Sequence, residues 1–192
     1  IWSNTPHSFR ARGAVAFLFI APESAVGRGL ERELFAGRAF VRLAEGHLAS
    51  MLEELRNCMR DGFAEDEMRG LGKKIIGTLP AVEDHALPDP RARAMIAYAR
   101  QNLDETISLP AAASHVGLSH SRARHLFVAQ TGLPFKTYVL WARLERAVAL
   151  YAQGSSLTKA AHTAGFADSA HLSRTFRRTF GLPAAALRLN HD

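Results

Sequence analysis

The sequence predicts a mainly α chain: two helix-turn-helix subdomains joined by a long helix, preceded by a partial α/β remnant of another domain. Three observations carry this. Capping residues and glycines punctuate residues 90–192 into a series of helices. One helix–glycine–helix pattern occurs there twice, about 49 residues apart. Only Ala14–Ile20 has the short, apolar, β-former-rich character of a strand.

Taken in order, Ala14-Val-Ala-Phe-Leu-Phe-Ile20 is that strand, and Pro22 ends it. Glu23–Phe35 reads as a helix weakened by Gly27 and Gly29. Val41–Met59 reads as a better one, because Leu43, Leu48, Met51, Leu52, Leu55 and Met59 recur at three- and four-residue intervals. Glu65–Leu79 reads as a third, interrupted near Gly70 and Gly72. One strand makes no stable sheet. Residues 1–80 therefore read as the tail of a larger domain, with Ile1, which follows no methionine, as a truncation point. Pro80, Pro88 and Pro90, with acidic residues and no periodicity between them, make 81–89 a linker.

From Pro90 the helices follow closely. Asp89-Pro90 opens one that runs to about Leu103 with Met95, Ile96 and Ala99 inward. Ser108 caps a short helix to Val116, and Gly117 turns the chain. Ser119 caps the next, to about Gln130, and Gly132 ends it. Pro134–Ala152 is long, about 19 residues or roughly 28 Å. Ser155 or Ser156 caps a short helix to Ala164, Gly165 turns, and Asp168 caps a helix to Phe180, which Gly181 stops. Pro183 starts a last short piece. A short helix, a glycine turn and a second helix make a helix-turn-helix. The two copies are Ser108…Gly117…Ser119…Phe127…Gly132 and Ser156…Gly165…Asp168…Phe176…Gly181.

Charge separates the halves. Residues 1–90 carry 11 Lys/Arg against 13 Asp/Glu, and residues 91–192 carry 13 against 5, so the second half holds the whole surplus of the +6 chain. Such asymmetry points to a polyanionic partner for the basic half. No run approaches the roughly 18 apolar residues of a membrane span. The single cysteine, Cys58, excludes an internal disulfide and a cysteine-cluster zinc site, and fits a cytoplasmic protein.

Helical periodicity sorts the second helix of each copy into faces. After Ser119, the residues Ala123, Leu126, Phe127 and Gln130 lie inward and Ser121, Arg124, His125 and Val128 outward. After Asp168, Leu172, Phe176 and Phe180 lie inward and Ala170, His171, Arg174 and Arg178 outward. An arginine and a histidine among small neighbours suit a helix laid in the major groove, where guanine O6 and N7 accept bidentate donors. Arg124 and Arg174 are read as equivalents in the two copies. Arg122, Lys136, Arg177 and Arg178 flank these faces as candidates for phosphate contact, and the helix start at Ser119 offers amides to the same groups. Asp168 would repel phosphate and is read as a cap alone. His115, His120 and His125 straddle the Gly117 turn and do not form a metal-ligand pair, so neither metal nor cofactor is expected.

These residues resemble the AraC/XylS family of bacterial transcription regulators. Ala112-Ala113-Ser-His-Val-Gly117-Leu-Ser119 resembles the family's first helix-turn-helix, and Phe127…Thr131-Gly132…Tyr138…Arg143-Leu144…Ala147 its connecting segment. Leu157…Ala161…Gly165-Phe166…Ser173-Arg174…Phe176-Arg177…Gly181, ending in Arg188, resembles the family signature. The resemblance implies a homeodomain-like pair of units whose recognition helices enter successive major grooves on one face of DNA, about one turn apart. Position by position it implies Ser121, Arg124 and His125 as base readers in the first unit, and Ser169, His171, Ser173 and Arg174 in the second. It implies RNA polymerase as a partner, activation among the modes of regulation, and an upstream cupin-like sensing domain with dimerisation helices. Residues 1–80 are similar to the end of such a domain, with 41–59 as the dimer stripe and an unknown small-molecule effector. This chain departs from the pattern at Ala112, Ala123 and Ala160, where Leu or Ile is usual, at Arg122 in place of an aromatic, and at Leu172 in place of Phe. The alanines predict a thinner core in the first unit.

Two other classes compete. An enzyme would need a carboxylate pair, a nucleophile with its base or a phosphate-cradling loop, and the second half has none; a DNA-repair methyltransferase fusion would need more cysteines than Cys58. A helical protein-interaction module would use the same helices without reading DNA.

Overall fold

A computed structural model describes residues 18, 20–44, 46–61, 65–79 and 89–184. The strand expected at Ala14–Ile20 and the linker at 81–89 lie outside these apart from Leu18, Ile20 and Asp89, and so does Arg188. Among the described residues there are helices and turns and no strand. The chain divides into two units, Ile1–Ala86 and Leu87–Asp192.

In the first unit, α1 (Ala25–Gly29) starts at Ser24, whose hydroxyl accepts from Gly27 N at 3.0 Å. It runs directly into a π-helical turn, Leu30–Phe35. Ala36 ends that turn at φ 47°, its N–H donating to Glu31 O at 2.7 Å. The expected weakening by Gly27 has a compensation. Gly27 is buried, and a Cβ there would overlap the Ala21 carbonyl and lie 2.8 Å from Pro22 Cα. The missing side chain lets the chain before the helix press against it.

The next helix, α2 (Ala49–Asp61), begins later than the stripe from Val41 suggested. Gly46 stands at φ 84° and residues 41–44 have no helical assignment, so Leu43 and Leu48 fall off the helical face. On α2 itself Met51 and Leu55 are half-buried, while Leu52 is 47% exposed. The following helix, α3 (Glu65–Thr78), is continuous through Gly70 and Gly72, contrary to the expected interruption. A glycine inside a helix costs about 0.5–1 kcal/mol, which packing against a neighbour offsets. That neighbour is α2: Lys74 Nζ meets Glu54 Oε2 at 2.7 Å and His47 Nε2 lies 3.0 Å from Thr78 O, which sets the two helices antiparallel.

The second unit holds α4 (Pro90–Gln101), α5 (Leu109–His115), α6 (His120–Thr131), α7 (Phe135–Ala152), α8 (Leu157–Thr163) and α9 (Ser169–Phe180). Every expected start residue caps its helix: Asp89, Ser108, Ser119, Ser156 and Asp168 each accept a hydrogen bond from a backbone N–H in the first turn. Ser156, not Ser155, caps α8. Gly132 and Gly181 close α6 and α9 in the left-handed region, at φ 69° and 72°.

Two cores form around α7. The first joins Met95, Ala99 and Leu103 of the α4 segment to Ala112, Ala113, Ala123, Phe127, Leu133, Phe135 and Tyr138. Its alanines share this core with three large aromatic rings. Phe127 stands edge-on to Phe135 at 5.0 Å and to Tyr138 at 5.3 Å. Thr131 is buried with its hydroxyl 2.8 Å from Phe127 O, and it accepts from Leu133 N at 3.2 Å, which fixes the exit from α6. The second core gathers Leu144, Ala147, Ala160, Ala161, Ala164, Phe166, Leu172, Phe176 and Phe180. Phe176 and Phe180 pack edge-on at 4.5 Å.

The α4 cap carries a pH prediction. Hydrogen bonds from the Arg91 side chain and backbone hold the Asp89 carboxyl down from 3.8 to about 2. A depressed folded value means the contribution is complete above the unfolded value and is lost as pH falls from about 4 to about 2. In Asp89→Asn the acid fall of the melting temperature over that range is expected to be shallower than in the parent. Superimposable acid limbs would show that the cap carries no such linkage.

Candidate nucleic-acid interface

The site rests on two helices of equal build. Both α6 and α9 have 12 residues, start on a capped turn, end on a left-handed glycine and contain no Asp or Glu. Ser119 Oγ accepts from Arg122 N at 3.4 Å, and Asp168 Oδ1 accepts from His171 N at 2.5 Å. Each helix buries one stripe and leaves the other to solvent. Ala123, Phe127 and Thr131 are the buried residues of α6, and Leu172, Thr175, Phe176 and Phe180 those of α9.

The turns before these helices share one hydrogen bond and differ in length. Leu118 N donates to Ala113 O, and Phe166 N donates to Ala161 O, both at 2.9 Å. From glycine to cap, however, the first turn takes two steps, Gly117 to Ser119, and the second three, Gly165 to Asp168. The caps set the true register, and it corrects the sequence reading. Arg174 is the equivalent of His125, and Arg124 of Ser173. On each helix positions i, i+4 and i+7 from the outward start share the exposed stripe. Ser121, His125 and Val128 hold them on α6, and Ala170, Arg174 and Arg177 on α9.

Ser121, Arg124 and His125 are all exposed on α6, with Arg124 Nη2 3.4 Å from His125 Nε2. Arg174 is exposed at the centre of the outward stripe of α9. Ser169, His171 and Ser173 are half-buried at its margins. The His171 ring is held edge-on to Phe166, centroids 5.2 Å apart, so this imidazole has a fixed position. Of the phosphate candidates, Ser119 and Arg122 are exposed at the start of α6, Lys136 at the start of α7, and Arg177 and Arg178 in the last turn of α9. The helices therefore bring the two proposed reading sets onto one domain, each beside its own cations.

Three residues hold this arrangement through long-range contacts that the sequence does not mark. Arg100 Nε donates to the Tyr138 hydroxyl at 2.9 Å, its Nη1 meets Glu145 Oε2 at 3.1 Å, and the guanidinium lies 5.8 Å from the Trp141 ring centre, tying α4 to α7. Arg143 donates from Nε to Leu103 O at 2.8 Å and from Nη2 to Glu105 O at 2.7 Å. Partial burial pushes its guanidinium pKa down, opposed by the nearby Asp104 carboxylate. Gly165 sits at φ 85° against the same carbonyl. These partners lie 38 to 45 residues apart in sequence, so no local pattern marks them.

Among the described residues no group of three or more His, Cys, Asp or Glu is placed to hold a metal ion, and no helix is long and apolar enough to cross a membrane.

A family profile described as a helix-turn-helix domain matches residues 112–190. The HTH-type transcriptional regulator YidL of Escherichia coli is 35% identical over 108 residues, which are 54% of this chain and 36% of that protein. The HTH-type transcriptional regulator GbdR of Pseudomonas aeruginosa is 33% identical over 137 residues, 71% of this chain and 35% of that protein. The chain thus spans about a third of the length of these relatives. The C-terminal domain of AraT, a response regulator from Geobacillus stearothermophilus, shares the fold, with a TM-score of 0.51 and 16% identity over 56% of this chain and 93% of that one.

Proposed function

We infer that this chain, whose double helix-turn-helix domain resembles those of the AraC/XylS family, binds duplex DNA sequence-specifically and regulates transcription there. The observation that carries the reading is the pair α6 and α9. They are equally long, equally capped helices without a carboxylate, each presenting exposed arginine outward. Laid in successive major grooves, they place Ser121, Arg124 and His125 over one set of base edges, and Ser169, His171, Ser173 and Arg174 over another. Ser119, Arg122, Lys136, Arg177 and Arg178 then face the phosphates and fix the register.

Domain boundaries at 1–80, 81–89 and 90–192 fit this division of labour, with the basic surplus confined to the last. A DNA-binding role without chemistry, in the cytoplasm, follows the same reading. Contact with RNA polymerase and response to a small-molecule effector are proposed on that resemblance. Pairing of two copies through 41–59 is proposed from the solvent-facing Leu52 on α2.

Selection of bound sequences from random duplex DNA tests the proposal. The expected product is a bipartite site with two short conserved blocks one helical turn apart. Affinity for it should fall steeply and linearly in a log–log plot against salt, since each neutralised phosphate releases counterions. Recovery of no consensus, or binding indifferent to salt, would refute DNA reading. The symmetry of the site also decides pairing: a two-fold repeat of the bipartite unit supports it, and a single asymmetric unit bound by one chain sinks it.

A further inference from the structure

The two helix-turn-helix units meet at a joint that involves none of the proposed DNA-contacting residues. Leu103 follows α4 in the first helix-turn-helix subdomain and is buried, and its carbonyl oxygen accepts from Arg143 Nε on the linking helix at 2.8 Å. Arg143 Nη2 takes the carbonyl of Glu105, two residues on, at 2.7 Å. The second unit closes the joint from the other side. Gly165, in the turn between α8 and α9, lies so close that a Cβ would overlap Leu103 O and come within 2.8 Å of Arg143 Nε. Its φ of 85° is itself a conformation that disfavours other residues. Arg146 on the same helix lies 3.9 Å from Asp104 and adds a looser tie.

The equivalent turn in the first unit has no such neighbour. A Cβ on Gly117 would meet nothing within 4 Å. The two glycines therefore share a conformation but not a role: only the second carries a contact between units. Three residues after Gly165, Asp168 caps α9. Whatever fixes Gly165 against Leu103 thus fixes the start of the second recognition helix relative to the first unit.

We propose that Arg143 and Gly165 act as positioning residues that lock α9 relative to α6 and so set the one half-site spacing at which the chain reads DNA. The consequence for DNA follows from duplex geometry and rests on the reading under Proposed function. Inserting one base pair moves the second half-site by about 3.4 Å and turns it by roughly 35°. A rigid pair cannot follow that change, whereas a loose pair can, at the cost of ordering itself on binding.

The test uses the whole chain, with Arg143→Met, which removes the donors and keeps the stem, and Arg143→Lys, which restores one donor. Two spin labels, introduced by Ala129→Cys on α6 and Arg178→Cys on α9 in a Cys58→Ser background, report the separation of the recognition helices without DNA. The expected result is a narrow distance distribution in the parent, a broad one in Arg143→Met and partial narrowing in Arg143→Lys. On the selected site and its versions lengthened or shortened by one base pair, the parent should lose at least tenfold in affinity. Arg143→Met should start several-fold weaker and lose less than threefold. Equal distance distributions in parent and Arg143→Met would overturn the lock, and so would an unchanged spacing ratio. Should Arg143→Met fail to fold, the same two readouts on Arg143→Lys decide it. Absence of any sequence-specific binding by the parent would instead refute the DNA reading and leave the label distances to judge the joint alone.

Discussion

Phe127→Ala is expected to destabilise the second unit by about 3–5 kcal/mol, the largest effect of any single substitution considered. Phe127 is fully buried, and its ring is the centre of the first core, in edge contact with Phe135 and Tyr138. The cost is set by what can fill the hole. Ala112, Ala113 and Ala123 belong to the same core, and an alanine has no side chain to swing into a cavity. The site therefore collapses poorly and sits at the high end of the range. For a unit of about a hundred residues each kcal/mol moves the midpoint by about 4–8 °C, so a fall of more than about 15 °C is expected by calorimetry or circular dichroism. Val128→Ala is the control. It lies one residue along the same helix but is 39% exposed, and its change should stay within about 0.5 kcal/mol. A Phe127→Ala protein melting within a few degrees of the parent would show that the aromatic cluster does not carry the first helix-turn-helix.

The contrast between those neighbours also explains what was legible in the sequence. Helix starts were readable because capping is local: the Ser or Asp that stops the preceding turn is the residue that accepts the first-turn N–H. Ser108, Ser119, Ser156 and Asp168 all behave so. The inward faces were readable because Phe127 and Phe176 recur with their alanine or leucine partners at helical spacing. Register between the two copies was not. Matching outward arginines pairs Arg124 with Arg174, whereas counting from the caps Ser119 and Asp168 pairs Arg124 with Ser173. In the first unit the stripe from Val41 overran the true start of α2, because apolar spacing cannot show that Gly46 takes a positive φ. Gly27 was read as a defect and is a packing contact for the same reason: a glycine's neighbours are tertiary. The contacts that hold α4 to α7, and the second turn to the first unit, join residues about 40 or more apart, where periodicity carries no information. The site residues were legible as types on faces; the structure adds which faces are held together.

Arg174→Ala is expected to weaken binding to the selected DNA site by about 1–3 kcal/mol, a loss of about 5- to 150-fold, while leaving the fold intact. The argument is positional. Arg174 occupies the middle of the outward stripe of α9, is exposed, and makes no hydrogen bond or ion pair among the described residues. Its removal breaks no side-chain contact among the described residues, so a loss on DNA with an unchanged melting temperature is a loss of recognition. A guanidinium that takes guanine O6 and N7 as a fork discriminates one base pair from the other three. The variant should therefore also bind nearly equally to sites altered at that one base pair, where the parent does not. Arg178, one turn on, supplies the comparison. It sits in the last turn of α9 beside Arg177, and as a phosphate contact its loss should weaken all sequences alike and lower the salt slope by about 1. The two arginines have the same chemistry and differ only in where the helix puts them. If Arg174→Ala and Arg178→Ala produced the same uniform, salt-dependent loss with no change in base preference, α9 would be a phosphate clamp, and the specificity assigned to it would have to come from elsewhere.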